Sequence, residues 1–186
     1  NLSSIVCRQL NIEAPMADLS DWTAMLSKIS SRKKHVNIGL VGKYESLHDA
    51  YLSVTEALNH AGHELSSFIH ITWIDSETLE KSDFESILRP LDGIIVPGGF
   101  GGRGIEGKIT AAKFARENNV PYLGLCLGMQ TAVIEFARNV CDMPGANSGE
   151  FDDASPYKVI DFMPDQRGIV NKGGTLRLGS YPCKII

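Results

Sequence analysis

Four apolar segments of strand length alternate with helical patterns along the middle of the chain. The segments are VNIGLV at 36–41, FIHITWI at 68–74, GIIV at 93–96 and YLGL at 122–125. Apolar residues recur at helical spacing over 51–61, with Asp49 as the predicted cap and Gly62 as the predicted stop, and again over 109–115 and 131–140. This alternation predicts an α/β fold with a mostly parallel central sheet and helices on both faces.

The two ends of the chain depart from this alternation. Residues 1–35 contain two short helical patterns, at 2–10 and 20–31, and end in the polar, basic SSRKKH, so we interpret them as a connector or the tail of a preceding module. Residues 36–186 form the main predicted domain. Its strand signals weaken from Phe151 onward, where segments at 159–162, 174–178 and 182–186 are predicted to add antiparallel strands.

Charge and hydropathy exclude two classes of partner. The net charge is −4, and lysine and arginine are dispersed apart from the run at 32–34, so no basic stripe is available for a nucleic acid. No apolar run approaches the roughly 20 residues of a membrane span, and the first residues lack the pattern of a signal peptide. We therefore expect a cytoplasmic chain that binds neither nucleic acid nor membrane.

The cysteines and histidines do not have the spacing of a metal site. Cys7, Cys126, Cys141 and Cys183 lack paired spacing, so free thiols are expected. His60 and His63 have no second pair of ligands nearby, and we interpret them as solvent-facing residues at a helix end. The sequence thus predicts no metal and no disulfide framework.

A glycine-rich stretch, PGGFGGRGIEGK at 97–108, follows the third predicted strand. Gly102, Gly104 and Gly107 fit the G-x-G-x-x-G dinucleotide spacing, and 102–108 fits the first seven positions of a phosphate loop. Ile109 stands where the phosphate loop needs Ser or Thr to hold magnesium. Two functions stay open: the glycines could cradle a phosphate, or they could expose backbone N–H groups to another ligand.

A second pattern, G-x-C-x-G at 124–128, follows the fourth predicted strand and precedes a helical pattern. This is the thiol version of a nucleophile elbow, in which a sharp turn lifts Cys126 above the sheet and the helix N-terminus favours its thiolate. The N–H of Leu127, with Gly98 or Gly99 from the preceding loop, would then face a developing oxyanion. A buried core cysteine is the competing interpretation. Only the elbow uses both loops.

Both loops resemble those of the class I (triad) glutamine amidotransferases, in PGGF from Pro97 and GLCLGMQ from Gly124. Longer stretches are similar to the C-terminal glutaminase domains of the CTP synthase family; they are VGKYESLHDAYLSVTEAL from Val41, PGGFGGRGIEGK from Pro97, YLGLCLGMQ from Tyr122, ANSGEFD from Ala146 and GGTLRLG from Gly173. The resemblance spans nearly the whole chain and implies a three-layer, flavodoxin-like fold. Within it, DLSDWTAML from Asp18 resembles the connector that leaves a synthetase domain.

The resemblance also implies a reaction and its residues. Cys126 would form a thioester with glutamine and release ammonia, which a synthetase domain of the same polypeptide would use to aminate UTP with ATP and magnesium. Gly98 and Leu127 would supply oxyanion N–H groups. The pocket for glutamine would be lined by Gly99, Phe100, Gln130 and Glu150. The family further implies GTP as an effector, a homotetramer, and no cofactor in this domain, while Arg103, Glu106 and Lys108 are interpreted as loop charges.

The sequence departs from the family downstream of the cysteine. A cysteine nucleophile needs a histidine base oriented by a carboxylate, which the family places near the end of the domain. Here all five histidines precede Cys126, and neither that segment nor the family's distal arginine has a match. Either the chain is a truncated copy of an active domain or it is a version that lacks the base. We favour the first, because Cys126, Gly98, Gln130 and Glu150 are all present, and we expect a domain incomplete at its C-terminal end and inactive by itself.

Three alternatives stay open at this point. The chain could be another class I amidotransferase, feeding GMP, carbamoyl phosphate or anthranilate synthesis. It could be a noncatalytic domain that binds a ligand or contributes assembly contacts. It could also be a dinucleotide-binding domain. The reactivity of Cys126 toward glutamine-like electrophiles separates the amidotransferases from the other two.

Overall fold

The computed structural model describes residues 2–43, 48–81, 83–99 and 101–163. Two helices, α1 (Leu2–Gln9) and α2 (Ser20–Ser30), come first, as the sequence predicts, and neither buries a residue. Helix α2 lies against α3 (Leu52–Glu64), where Lys28 and Glu64 form an ion pair of 2.6 Å. The role of this segment as a connector stays a prediction.

The central sheet is parallel and has the strand order β2-β1-β3-β4. Its strands are β1 (Lys34–Gly42), β2 (Ser67–Asp75), β3 (Gly93–Val96) and β4 (Tyr122–Gly124). In the register, Leu40 of β1 lies between Trp73 of β2 and Ile95 of β3. The chain thus moves to one side of β1 first and to the other side afterwards, which confirms the predicted α/β architecture.

Helices cover both faces of the sheet. Gly62 of α3 lies against Ile69 of β2, whereas Ala111 of α6 (Ile105–Asn118) belongs to a buried cluster with Ile74 of the same strand. Positions 69 and 74 are an odd number of residues apart, so their side chains point to opposite faces. Helix α7 (Leu127–Asn139) packs beside α6, and two short helices, α4 (Thr78–Lys81) and α5 (Phe84–Leu88), lead from β2 towards β3.

The predicted ends of α3 are wrong. The helix continues to Glu64, and Gly62 is buried inside it, because a Cβ there would lie 2.8 Å from the carbonyl oxygen of Ser67. Asp49 does not cap the helix: it belongs to a 3-10 turn, His48–Tyr51, and Tyr51 is the capping position without a side-chain bond. Close packing on β2 therefore explains a glycine that resembled a helix stop.

The C-terminal strands also differ from the prediction. Strands β5 (Asn147–Ser148) and β6 (Lys158–Ile160) form a separate two-stranded sheet, and they pair in parallel, not antiparallel. The segments predicted at 174–178 and 182–186 lie outside the described residues. Among the described residues, no helix has the length and apolar character needed to cross a membrane.

Candidate active site

Three chain segments meet at the carboxyl edge of the sheet. Lys43 follows β1, Gly98 lies just after β3, and Cys126 lies just after β4. Because strand order reverses between β1 and β3, this edge contains the crevice in which α/β proteins of this topology bind ligands.

Cys126 occupies the strained turn of a nucleophile elbow. Its backbone angles are φ 52° and ψ −106°, and α7 begins at the next residue. A Cβ on Gly124 would lie 2.4 Å from the carbonyl carbon of Gly128, and one on Gly128 would lie 2.0 Å from the oxygen of Val96. Glycine is therefore required on both sides of the cysteine. The residue is an exposed free thiol, which excludes the core-cysteine interpretation.

The glycine loop after β3 lies directly against this elbow. A Cβ on Gly98 would lie 3.3 Å from Cβ of Cys126 and 3.9 Å from its Sγ. No hydrogen bond between described residues uses the N–H of Gly98 or of Leu127. The N–H groups of Gly98 and Leu127, on the two segments that meet at this cysteine, are thus unused by described residues, and an oxyanion site requires free donors of this kind. Gly99 follows in the same loop, and Phe100 lies outside the described residues.

Gln130 and Glu150 lie at the same edge of the fold and are half-buried. Gln130 is in the first turn of α7, where its N–H donates to the carbonyl of Cys126 at 3.1 Å. Glu150 follows β5, and its N–H donates to Oγ of Ser148 at 3.2 Å. The carboxylate of Glu150 is close enough to Lys43 to act on the pKa of that lysine.

Lys43 ties the end of β1 to the glycine loop, a role that the sequence did not reveal. Its side chain is buried, and Nζ donates to the carbonyl of Gly101 at 2.5 Å. Burial, followed by the positive charge of Arg103, holds its pKa below the ordinary value, while Glu150 and Glu77 act in the opposite direction. Arg103 Nη2 also donates to the carbonyl of Lys43 at 3.3 Å.

The interpretation of three charges as loop residues is wrong for two of them. Helix α6 begins at Ile105, so Glu106 and Lys108 are helical, and only Arg103 lies in a turn. Arg103 pairs with Glu77, and the exposed Glu106 pairs with Arg138. Lys108 differs from both: its side chain is completely buried, and no hydrogen-bond acceptor of the residues that the structure describes contacts its Nζ.

Glycine spacing in this stretch serves packing. A Cβ on Gly104 would lie 2.1 Å from Oγ of Ser76, and one on Gly107 would lie 1.8 Å from the backbone oxygen of Ser76. Gly104 also has φ 68°, a conformation that favours glycine. The start of α6 therefore approaches the turn after β2 too closely for a side chain. This contact accounts for two of the three glycines that matched the dinucleotide pattern.

The histidines with described side chains do not supply a base at Cys126. His35 and His70 lie near the starts of β1 and β2, with Nδ1 and Nε2 2.7 Å apart. At about 3.3 Å per residue, His35 is about 23 Å from the end of β1. His60 and His63 are on α3, where His60 is exposed, as predicted, and His63 is half-buried. The described residues contain no group of three or more His, Cys, Asp or Glu side chains that could hold a metal ion.

Comparisons with known proteins agree on one family. The family described as glutamine amidotransferase class-I matches residues 46–186. The CTP synthase of Desulfitobacterium hafniense (strain Y51) is 56% identical over 185 residues, which are 100% of this chain and 35% of that protein. The CTP synthase of Clostridium acetobutylicum is 54% identical over 184 residues, covering 99% of this chain and 34% of that protein.

A solved structure shares the fold. It is described as the glutaminase domain of Trypanosoma brucei CTPS with bound acivicin, and it is 44% identical to this chain with a TM-score of 0.66. The match covers 71% of this chain and 52% of that one. The chain thus spans about a third of the length of the curated relatives it matches.

Proposed function

Because this chain belongs to the class I glutamine amidotransferase family, we propose that it is the glutaminase part of a CTP synthase, with Cys126 as the nucleophile. The observation that carries this proposal is the strained, exposed Cys126 facing Gly98, with the N–H groups of Gly98 and Leu127 directed to no described acceptor. A cysteine held in this way attacks an acyl carbon and leaves the carbonyl oxygen beside two donors.

The reaction has two stages. In the first, Sγ of Cys126 forms a bond to the side-chain amide carbon of glutamine, and the resulting oxyanion lies against Gly98 and Leu127. When the intermediate collapses, the C–N bond breaks, the nitrogen takes up a proton and ammonia leaves. In the second stage, water attacks the glutamyl thioester, which releases glutamate and restores the thiol.

Substrate contacts follow from the chemistry of the neighbouring side chains. We assign the carboxylate of Glu150 to the ammonium group of glutamine, because a charge-assisted hydrogen bond is strong and directional. The Gln130 amide can both donate and accept, which suits a zwitterion. Gly99 would offer its backbone, and the assignment of Phe100 to the pocket rests on the family alone.

We extend the proposal to the whole protein on the basis of its relatives. Ammonia from this site would reach a synthetase domain, where ATP and magnesium activate UTP for amination to CTP, a ligase reaction. GTP as effector, a tetrameric assembly and a cytoplasmic location belong to the same proposal. The proton transfers need a histidine base, and every histidine precedes Cys126. Since loss of a general base costs about 10²- to 10⁴-fold in rate, we expect slow turnover by these 186 residues alone.

Covalent labelling tests the nucleophile without requiring turnover. The chain would be incubated with the glutamine analogue 6-diazo-5-oxo-norleucine, followed by intact-mass measurement and peptide mapping. We expect one adduct, on Cys126, which free glutamine suppresses and Cys126→Ala abolishes. Cys7 and Cys141 are free thiols in the same chain and serve as internal controls. An unlabelled Cys126, or labelling that glutamine does not suppress, would contradict the proposed function.

A further inference from the structure

Lys108 is a buried cation, and no described residue forms an ion pair with it. Its side chain has no exposed surface, and no acceptor in the described part of the chain takes a hydrogen bond from its Nζ. Burying an ammonium group without a paired anion costs free energy of folding, because burial removes its hydration. The burial lowers the pKa of Lys108 to about 8, so the group is still mostly protonated at neutral pH.

The position of Lys108 on α6 places it above the carboxyl edge of the sheet. Ala111 and Ala115 of the same helix belong to a buried cluster with Val41 of β1 and Val96 of β3. Lys108 precedes Ala111 by three residues, so it lies on the same helix face and one turn closer to the N-terminus. The N-terminus of α6 follows the glycine loop, and Ile105 and Ile109, which flank Lys108 on this helix, belong to a buried cluster with Leu127, the residue after Cys126.

Two anionic groups among the described residues act at this edge of the sheet: the Cys126 sulfur, which acts on Lys108, and the Glu150 carboxylate, which acts on Lys43. Lys43, after β1, is a second cation, and it lowers the pKa of Lys108, whereas the Cys126 sulfur acts in the opposite direction. Acidic groups on the packed helices and turns are engaged elsewhere: Glu77 with Arg103, Glu80 with the N–H of Gly107, Glu85 with Arg89, Glu106 with Arg138, and Glu135 with Arg116. Tyr122 of β4 donates to the carbonyl of Gly128.

We propose that Lys108 is a positioning residue for the nucleophile: its buried ammonium stabilises the thiolate of Cys126 relative to the thiol. Lys43 adds a second positive charge at the same edge. This inference deepens the proposed function, because it assigns a cation to the same reaction centre. It predicts that the thiolate advantage is largest while Lys108 is protonated and disappears once it is neutral.

The test is the rate of Cys126 alkylation by iodoacetamide between pH 6 and pH 9.5. This small neutral reagent needs no glutamine pocket: Sγ forms the bond to carbon and iodide leaves. Rates at Cys126 and at the exposed Cys141 of the same molecule would be read by peptide mapping, for the unmodified chain and for Lys108→Met. The matched control is Lys113→Met, which removes an exposed lysine from the same helix.

We expect Lys108→Met to lower the Cys126 rate at pH 6.5 to 7 by about three- to tenfold, with the two profiles converging above about pH 9. Cys141 and the Lys113→Met chain should keep their profiles. Lys108→Gln, with circular dichroism on every variant, provides a second neutral side chain if the first does not fold. Unchanged Cys126 profiles in a folded neutral variant would overturn the inference. Failure of the diazo-ketone labelling would instead reject glutamine binding and leave this profile as an independent result.

Discussion

Two buried charges on neighbouring helices differ in whether a described residue pairs with them. Glu135 of α7 is 2% exposed, and Arg116 of α6 reaches both of its carboxylate oxygens, at 2.8 to 3.1 Å. Lys108 of α6 has no exposed surface, and its Nζ has no hydrogen-bond partner among the described residues. The first charge joins two helices, whereas the second lies at the edge that carries Cys126. Among the described residues, the buried charge between the helices is thus paired, whereas the buried charge near the nucleophile is not.

The largest loss of stability should come from adding a side chain at the closely packed glycine of the elbow. In Gly128→Ala, the new Cβ would lie 2.0 Å from the carbonyl oxygen of Val96, so α7 or β3 must shift. We expect a loss of roughly 4 kcal/mol or more in the free energy of unfolding, measured by urea denaturation.

The matched control for that substitution is Gly102→Ala. Nothing lies within 4 Å of a Cβ built on Gly102, and the residue is exposed. Its stability should therefore change by less than about 1 kcal/mol. Equal losses in the two variants would show that the close approach at Gly128 does not limit the fold.

Removing one partner of the helix pair should have the next largest effect. Arg116→Met leaves the carboxylate of Glu135, whose side chain is 3% exposed, without its cation, and we expect a loss of roughly 3 kcal/mol in urea denaturation. The double variant with Glu135→Met removes the stranded charge and should recover most of that loss. Additive losses in the double variant would contradict the assignment of the cost to an unpaired carboxylate.

Lys108→Met should raise the free energy of unfolding, by less than the losses expected for the two preceding substitutions. The folded pKa of about 8 lies below the ordinary 10.5, so the penalty is complete below pH 8 and fades as pH rises from 8 to 10.5. At pH 7 we expect the variant to gain roughly 2 kcal/mol in the free energy of unfolding, less than the full linkage value, because the fit of Met is imperfect.

The measurement compares urea denaturation at pH 7 and pH 9.5. Stability of the unmodified chain should rise between these values relative to Lys108→Met, and the Lys113→Met control should retain that rise. A variant that is less stable than the unmodified chain at pH 7 would mean that Lys108 has a stabilising partner, which would remove the contrast with Glu135.

The sequence predicts the sheet well because its strands have local apolar patterns and its helices have periodic ones. It fails at Gly62 and at the start of α6, where glycines resemble helix breakers but serve close packing against residues distant in sequence. The spacing of Lys108, Ala111 and Ala115 fits one helix face, and the structure buries all three residues. The pairing of β5 with β6 could not be predicted, since such short strands depend on nonlocal contacts.

The cysteine and its glycine loop were predictable for a different reason. Their motifs place both at the ends of parallel strands, and parallel strands bring those ends together. The partners of Lys43 were not predictable, because Gly101 and Arg103 reach it from 58 and 60 residues away.

These contacts to Lys43 have a consequence for the glycine loop. A glycine-rich segment loses much conformational entropy when it is ordered, and a loop that ordered only on meeting its ligand would subtract that entropy from binding. Nζ of Lys43 binds Gly101, and Arg103 returns to the backbone of Lys43, so β1 fixes the loop during folding. The N–H of Gly98 is then in place before a substrate arrives. The entropy lost on ordering the loop therefore lowers the stability of the domain and does not weaken substrate binding.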